Sequence, residues 1–282
     1  MIKLKKSKLN AKKAFLEKGT CSHTFFYLLN REFGHPKEKE ELALDALAGG
    51  ILQQGYQCGM LWGASMGLGA EALRRSENID QATELAIKAT QHIILSFSKR
   101  VKSIECLEIT SCDFSKKTGL LKLFFSGQAF SCLNLAGKWG PEAINAAYKG
   151  LEPDLNLPVN DAKSCASEVV KKMGGSEEEM VMVAGFAGGM GMSGNACGAL
   201  AAGIWLKSVK WAEENEKSPY SNPEAERTLE NFMEYTEGEI VCKELCGRSF
   251  KSVEEHSKFI AEGGCEEILN ILAETKQVEE YA

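Results

Sequence analysis

The chain repeats itself, and that constrains its fold more than any other feature. LAGGILQQGYQCGMLWGASMG and FAGGMGMSGNACGALAAGIWL align without a gap over residues 48–59 and 187–198, setting Cys58 on Cys197 and Gly49, Gly50 and Gly55 on Gly188, Gly189 and Gly194. Upstream, TCSHTFFYLLNREFG matches SCASEVVKKMGG, so Cys21 pairs with Cys165 at the head of an amphipathic run. Downstream, ECLEITSCDFSKKTGLLKLFFSGQAFSCLNLA matches VCKELCGRSFKSVEEHSKFIAEGGCEEILNIL, pairing Cys112 with Cys246, Cys132 with Cys265 and, more loosely, Cys106 with Cys242. A unit that recurs in this way folds twice into one supersecondary pattern and buries its apolar faces against its own copy. Between the copies, EPDLNLPVN carries Pro153 and Pro158 around a polar run unsuited to helix or central strand, which divides the chain into modules 1–152 and 153–282.

All ten cysteines of the 282 residues fall into these two matched sets of five. Core filling explains a buried cysteine, but gives no reason for one at the same place twice. In a reducing compartment structural disulfides are rarely kept, so repeated cysteines there point to redox or metal chemistry. The start, MIKLKKSKLNAKK, is basic and runs into AFLEKGTCSH without the apolar stretch of about seven to fifteen residues that a secretory signal needs, so it reads as a solvated arm. No window approaches the roughly 20 apolar residues of a membrane span. These observations lead to the expectation of a soluble, cytoplasmic protein. A net charge of -6 with both signs interspersed gives no basic field, which argues against a nucleic-acid partner.

Apolar residues at Ala82, Leu85, Ala86, Ala89, Ile93, Phe97, Val101 and Ile104 recur at steps of three and four, predicting one long helix. The same period runs through residues 21–33, 38–47, 129–148, 162–173, 177–186, 198–212 and 224–246, while alternating strand patterns are scarce. Ser176 ahead of three glutamates supplies a cap and an acidic first turn. The expected fold is all-α: two homologous helical modules packed with pseudo-two-fold symmetry.

In GFAGGMGMSGNACGAL the glycines permit positive φ, and Cys197 falls just before a predicted helix, where aligned peptide dipoles favour a thiolate. Cys197 is therefore expected to be the most activated sulfur, in a loop shaped by Gly188, Gly189, Gly191 and Gly198. The loop lacks the Lys-Ser/Thr of a P-loop. Cys165, GGMGMSGNACGAL, Cys246 and Cys265 together resemble the C_GCAxxG_C_C family of redox-active proteins, and the first half is similar to a diverged second copy. Cys58 is followed by Gly59 and then by Met60 where the motif has Ala, with Gly63 kept; the second copy keeps Ala199 but has Ala202 at the Gly position and Gly203 one place later. The resemblance implies a redox role. A related module accompanies the iron-sulfur centre of split-Soret cytochromes, which implies that a cluster is one option here.

The working sets are then Cys21, Cys58, Cys112 and Cys132 in the first module and Cys165, Cys197, Cys246 and Cys265 in the second, either as redox-active thiols or as metal ligands. Three chemistries stay open: an iron-sulfur cluster held by four thiolates from distant helices, a dithiol-disulfide relay, and all-thiolate zinc. A binding module for a metal or small anion, with structural cysteines, is the alternative from another class. Cys242 and Cys246 share a face if VCKELC is helical, whereas Cys106 and Cys112 are spaced differently, so Cys106 and Cys242 read as auxiliary. Met190 and Met192 read as packing, and His23, His35, His92 and His256 as surface or satisfied histidines. No paired carboxylates support hydrolysis, and CxxCH for covalent haem is missing. The expected partner is another redox protein. Two fused modules can replace a homodimer of single ones, and a homodimer of the whole chain stays open.

Overall fold

A computed structural model describes residues 9–152, 161–215 and 217–274, apart from the side chains of residues 117, 120, 121 and 124. The proline-bracketed segment and most of the basic arm lie outside the described residues. Those described are helical, joined by turns and two isolated β-bridges. Among them, no helix is long and apolar enough to cross a membrane.

Each module contains a helix whose first residue is a cysteine and whose cap is a hydroxyl. Thr20 caps Cys21–Phe33 by accepting from the N–H of His23, and Ser164 caps Cys165–Lys172 by accepting from Ser167. Such caps satisfy N–H groups that have no partner within the helix. Ser176 and Glu179 close a reciprocal capping box on Glu177–Met182. The motif helices, Gly59–Arg75 and Gly198–Asn215, are buried along most of their length. Gly59–Arg75 packs against Cys21–Phe33 and Ile79–Ser98 in its own module and Glu177–Met182 in the other.

Several predicted elements are shorter than the periodicity suggests or are split. Ile79–Ser98 stops before Val101 and Ile104. The run expected over 224–246 breaks into Pro223–Tyr235 and Cys242–Leu245, because Glu237 (φ 52°) and Gly238 (φ 86°) turn the chain back.

The largest buried cluster among the described residues spans both halves. Trp139 stacks on Phe25 and meets Phe97 edge-on, each at 4.7 Å, while Trp62 of the first half meets Phe186 of the second edge-on at 4.7 Å. Gln57, fully buried, donates from Nε2 to the carbonyls of Gly189 (3.1 Å) and Ala196 (3.4 Å), tying one motif loop to the other.

Candidate functional site

The glycine-rich segments before Cys58 and Cys197 share one unusual conformation. Residues 49–53 and 188–192 each form a left-handed turn that includes non-glycine residues, with φ of 57° at Ile51, 46° at Leu52 and 65° at Gln53, and 73° at Met190 and 63° at Met192. Side-chain-bearing residues adopt this region at a cost of roughly 1 kcal/mol each. Glycine is required at Gly50 and Gly189, where a Cβ would lie 2.3 Å from Tyr56 O and 2.6 Å from Asn195 O. The turn aims a backbone N–H at sulfur: Gly49 donates to Cys21, and Gly188 donates to Cys165. Successive N–H groups in left-handed backbone form a concavity that favours anions.

The peptide after each turn bridges to the strand-like stretch ahead of a further cysteine. Cys58 N–H donates to Ile104 O and Cys106 N–H to Tyr56 O, both at 2.7 Å. In the second module Cys197 N–H donates to Ile240 O (2.8 Å) and Cys242 N–H to Asn195 O (2.7 Å). Cys106 and Cys242, read from the sequence as auxiliary, therefore occupy matched places and line the two sulfur cavities. The signal in the sequence was their loose pairing; the bridge that fixes it is a tertiary contact.

In the second module all five cysteines line one cavity of about 10 Å³, together with His256. Cys165 and Cys242 begin helices, Cys197 directly precedes one, and Cys265 is the N-cap of Glu266–Ala273 at φ 61°. Cys246 closes Cys242–Leu245, so the predicted shared helical face exists, with the Cys242 and Cys246 sulfurs 3.9 Å apart. Cys265 reaches Cys246 at 3.5 Å from the other side. The Cys242 thiol, then that of Cys265, holds Cys246 well below the ordinary thiol range, at about 4, with Arg248 adding attraction. As donors to Cys246, Cys242 and Cys265 are pushed up. Burial pushes Cys197 up to about 11 and Cys165 up to about 12 despite the N–H groups aimed at them. Desolvation outweighs the helix end at Cys197, while the two neighbouring thiols hold Cys246 low.

His256 is the residue that sequence reasoning missed, since its neighbours in the chain are polar and only the tertiary fold turns it inward. It is buried, its ring meets Phe250 edge-on, and Nδ1 lies 3.1 Å from Lys163 O. A carbonyl only accepts, so Nδ1 carries the proton and Nε2 keeps its lone pair. Burial holds the imidazole low, at about 4.

The first module departs from this plan. Cys21, Cys58, Cys106 and Cys132 line a cavity of about 540 Å³, but Cys112 is fully buried behind it with Cys106 and Phe114. Helix Cys106–Thr110 ends at Ser111 in left-handed conformation, and Cys112 follows it instead of closing it as Cys246 does. Cys132 lies within Gln128–Gly150, whereas its sequence partner Cys265 is a cap. Here the Cys58 thiol donates to Cys21, which is lowered by that contact, while Cys58 is pushed up. Burial raises Cys132 to about 12 and pushes Cys106 up as well.

Of the loop glycines, Gly188 reaches a sulfur through its N–H. Gly189 offers its carbonyl to Gln57, Gly191 packs against Thr90, Gln91 and Ile94 of the first half, and Gly198 sits against Phe186 O. Met190 and Met192 are buried packing residues. Among the described residues, no group of three or more His, Cys, Asp or Glu side chains is disposed to hold a metal ion. A cavity of about 10 Å³ holds about one water molecule, so the second cluster as arranged does not enclose a space for an iron-sulfur core.

No curated protein and no solved structure matches this chain. The family model described as "Putative redox-active protein (C_GCAxxG_C_C)" matches it twice, over residues 20–138 and 160–277. Together the two matches cover most of the chain, and the chain belongs to the C_GCAxxG_C_C family as a member with two copies.

Proposed function

We propose that this protein moves electron pairs by dithiol-disulfide exchange, with one centre in each module, 1–152 and 153–282. The observation that carries this reading is the row of three sulfurs in the second module, Cys265, Cys246 and Cys242, spaced 3.5 and 3.9 Å apart, the middle one held low by the other two. The Cys246 thiolate attacks one sulfur of a partner disulfide, forming a mixed disulfide and releasing the other partner sulfur as a thiolate. Cys265 then attacks Cys246, breaking the mixed bond, and its proton goes to the second partner sulfur as that sulfur leaves. The products are a Cys246–Cys265 disulfide and a reduced partner dithiol, so two electrons have left the protein. Closing the pair means bringing 3.5 Å to the bonded distance of about 2 Å, a small side-chain rotation. In the first module the exchanging pair is Cys21 and Cys58, the counterparts of Cys165 and Cys197, which are in side-chain contact there.

Reduced protein treated anaerobically with a disulfide oxidant is expected to lose two titratable thiols per module, and Cys265→Ser to accumulate the mixed disulfide on Cys246. An unchanged thiol count would refute the exchange. A second reading, an iron-sulfur centre, draws on the backbone N–H groups donated to Cys21, Cys165 and Cys197, since such bonds stabilise anionic sulfur. Stoichiometric iron and sulfide in protein purified without oxygen would replace the first reading with the second.

A further inference from the structure

The two sulfur cavities share a plan and differ in size, about 540 Å³ in the first module against about 10 Å³ in the second. The larger is in the usual range for sites that hold a small organic molecule. Its wall contains no Lys, Arg, His, Asp or Glu among the described residues; apolar side chains such as Ile109, Phe114 and Leu133 make up most of it, with thiols, hydroxyls and one phenol as polar groups. A charged ligand entering such a wall would lose its hydration without compensation.

The phenol, Tyr220, comes from the second half and is held there deliberately. Its carbonyl accepts from Gln53 Nε2 at 3.1 Å, and Ser218 donates to the buried Asp45 at 2.5 Å. At the wall, Cys21 lies so close to the motif helix that a Cβ on Gly59 would stand 2.5 Å from its sulfur, with Cys58 its hydrogen-bonding neighbour. An apolar chamber with a reactive thiol pair in its wall suits a ligand that is uncharged and carries sulfur of its own.

We propose that the first module's cavity binds a small uncharged organic disulfide, together with its dithiol form, as a redox substrate. This rests on the thiol-exchange reading and names the substrate class for one of its centres. The Cys21 thiolate attacks one ligand sulfur, and the ligand S–S bond breaks as the mixed disulfide forms. Cys58 then attacks Cys21 Sγ, and the ligand leaves with both sulfurs reduced. The protein is oxidised to a Cys21–Cys58 disulfide, with the Cys58 proton taken up by one ligand sulfur and a solvent proton by the other. The reverse sequence oxidises the dithiol.

The test uses the full chain, reduced and anaerobic, with lipoamide as the uncharged disulfide and glutathione disulfide as the charged one. Formation of the Cys21–Cys58 disulfide is followed by mass spectrometry. Lipoamide is expected to oxidise this pair at least about tenfold faster at equal concentration, and Leu133→Trp, which fills the chamber, to lower that rate by about tenfold without changing reaction at Cys246. Ile109→Trp fills the same space from a different element, so misfolding of one variant does not decide the result. In a Cys21→Ser/Cys58→Ser protein, lipoamide should still bind saturably by ligand-observed NMR. Equal rates for the two disulfides, insensitive to both fillings, would overturn the substrate assignment while leaving thiol exchange standing. Failure of either disulfide to oxidise any cysteine pair would overturn the exchange reading itself.

Discussion

Two neighbouring thiols, not a helix end, hold Cys246 low. With Cys246 at about 4, and Cys197 and Cys165 pushed up to about 11 and 12, thiolate at pH 6 is concentrated on Cys246 in the second module. Iodoacetamide at pH 6 should label Cys246 ahead of Cys197 and Cys165, with labelling declining only as pH falls toward 4; peptide mapping of the native protein reads this order. Cys265→Ala removes one donor and should move the labelling midpoint upward. Glu105, next to Cys106, gives a second pH effect. Burial, then Glu108, raises its carboxyl from 4.5 to about 7. The folded state therefore binds the extra proton, and stability falls as pH rises from about 4.5 to about 7. Urea unfolding at pH 5 and pH 8 should show that slope, and Glu105→Gln should flatten it.

At the scale of elements, the crossing of Cys21–Phe33 and Gly59–Arg75 decides whether the first thiol pair exists. A Cβ at Gly63 would stand 2.0 Å from Ser22 O, a backbone atom that cannot rotate away. Gly63→Ala should cost about 1–3 kcal/mol in urea unfolding and raise the Cys21 pKa by parting it from Cys58. The second module has Ala202 at this place, so its helix pair already accommodates a methyl group. Gly203, the glycine one position later, has no neighbour closer than 3.8 Å. Gly203→Ala should therefore be neutral, or stabilising by about 0.5–1 kcal/mol through helix propensity, by the same measurement. At Gly203, the second module's departure from the family motif thus falls where the packing leaves room. Periodicity located most of the helices because it is written in neighbouring residues. It merged 224–246 because the reversal at Glu237 and Gly238 serves a distant partner, the backbone ahead of Cys197.

The whole molecule behaves as one body, since its core and the Gln57 link cross the repeat. Calorimetry should show a single unfolding transition, and residues 161–282 expressed alone should fail to give one, having lost the surface that covers Phe186. Gln57→Leu leaves the Gly189 and Ala196 carbonyls without their donor and should lower the transition, by about 1–3 kcal/mol. The amino-acid sequence by itself determined the helical class, the two copies and the family, because apolar period and repetition are one-dimensional signals. Which sulfurs meet was decided only by the tertiary structure. Cys106, Cys242 and His256 enter the cavities and Cys112 does not, because a side chain's reach depends on where its helix starts and what that helix crosses, neither of which spacing along the chain records. The same holds for the open first chamber beside the closed second one: similar chains, with different crossings around them.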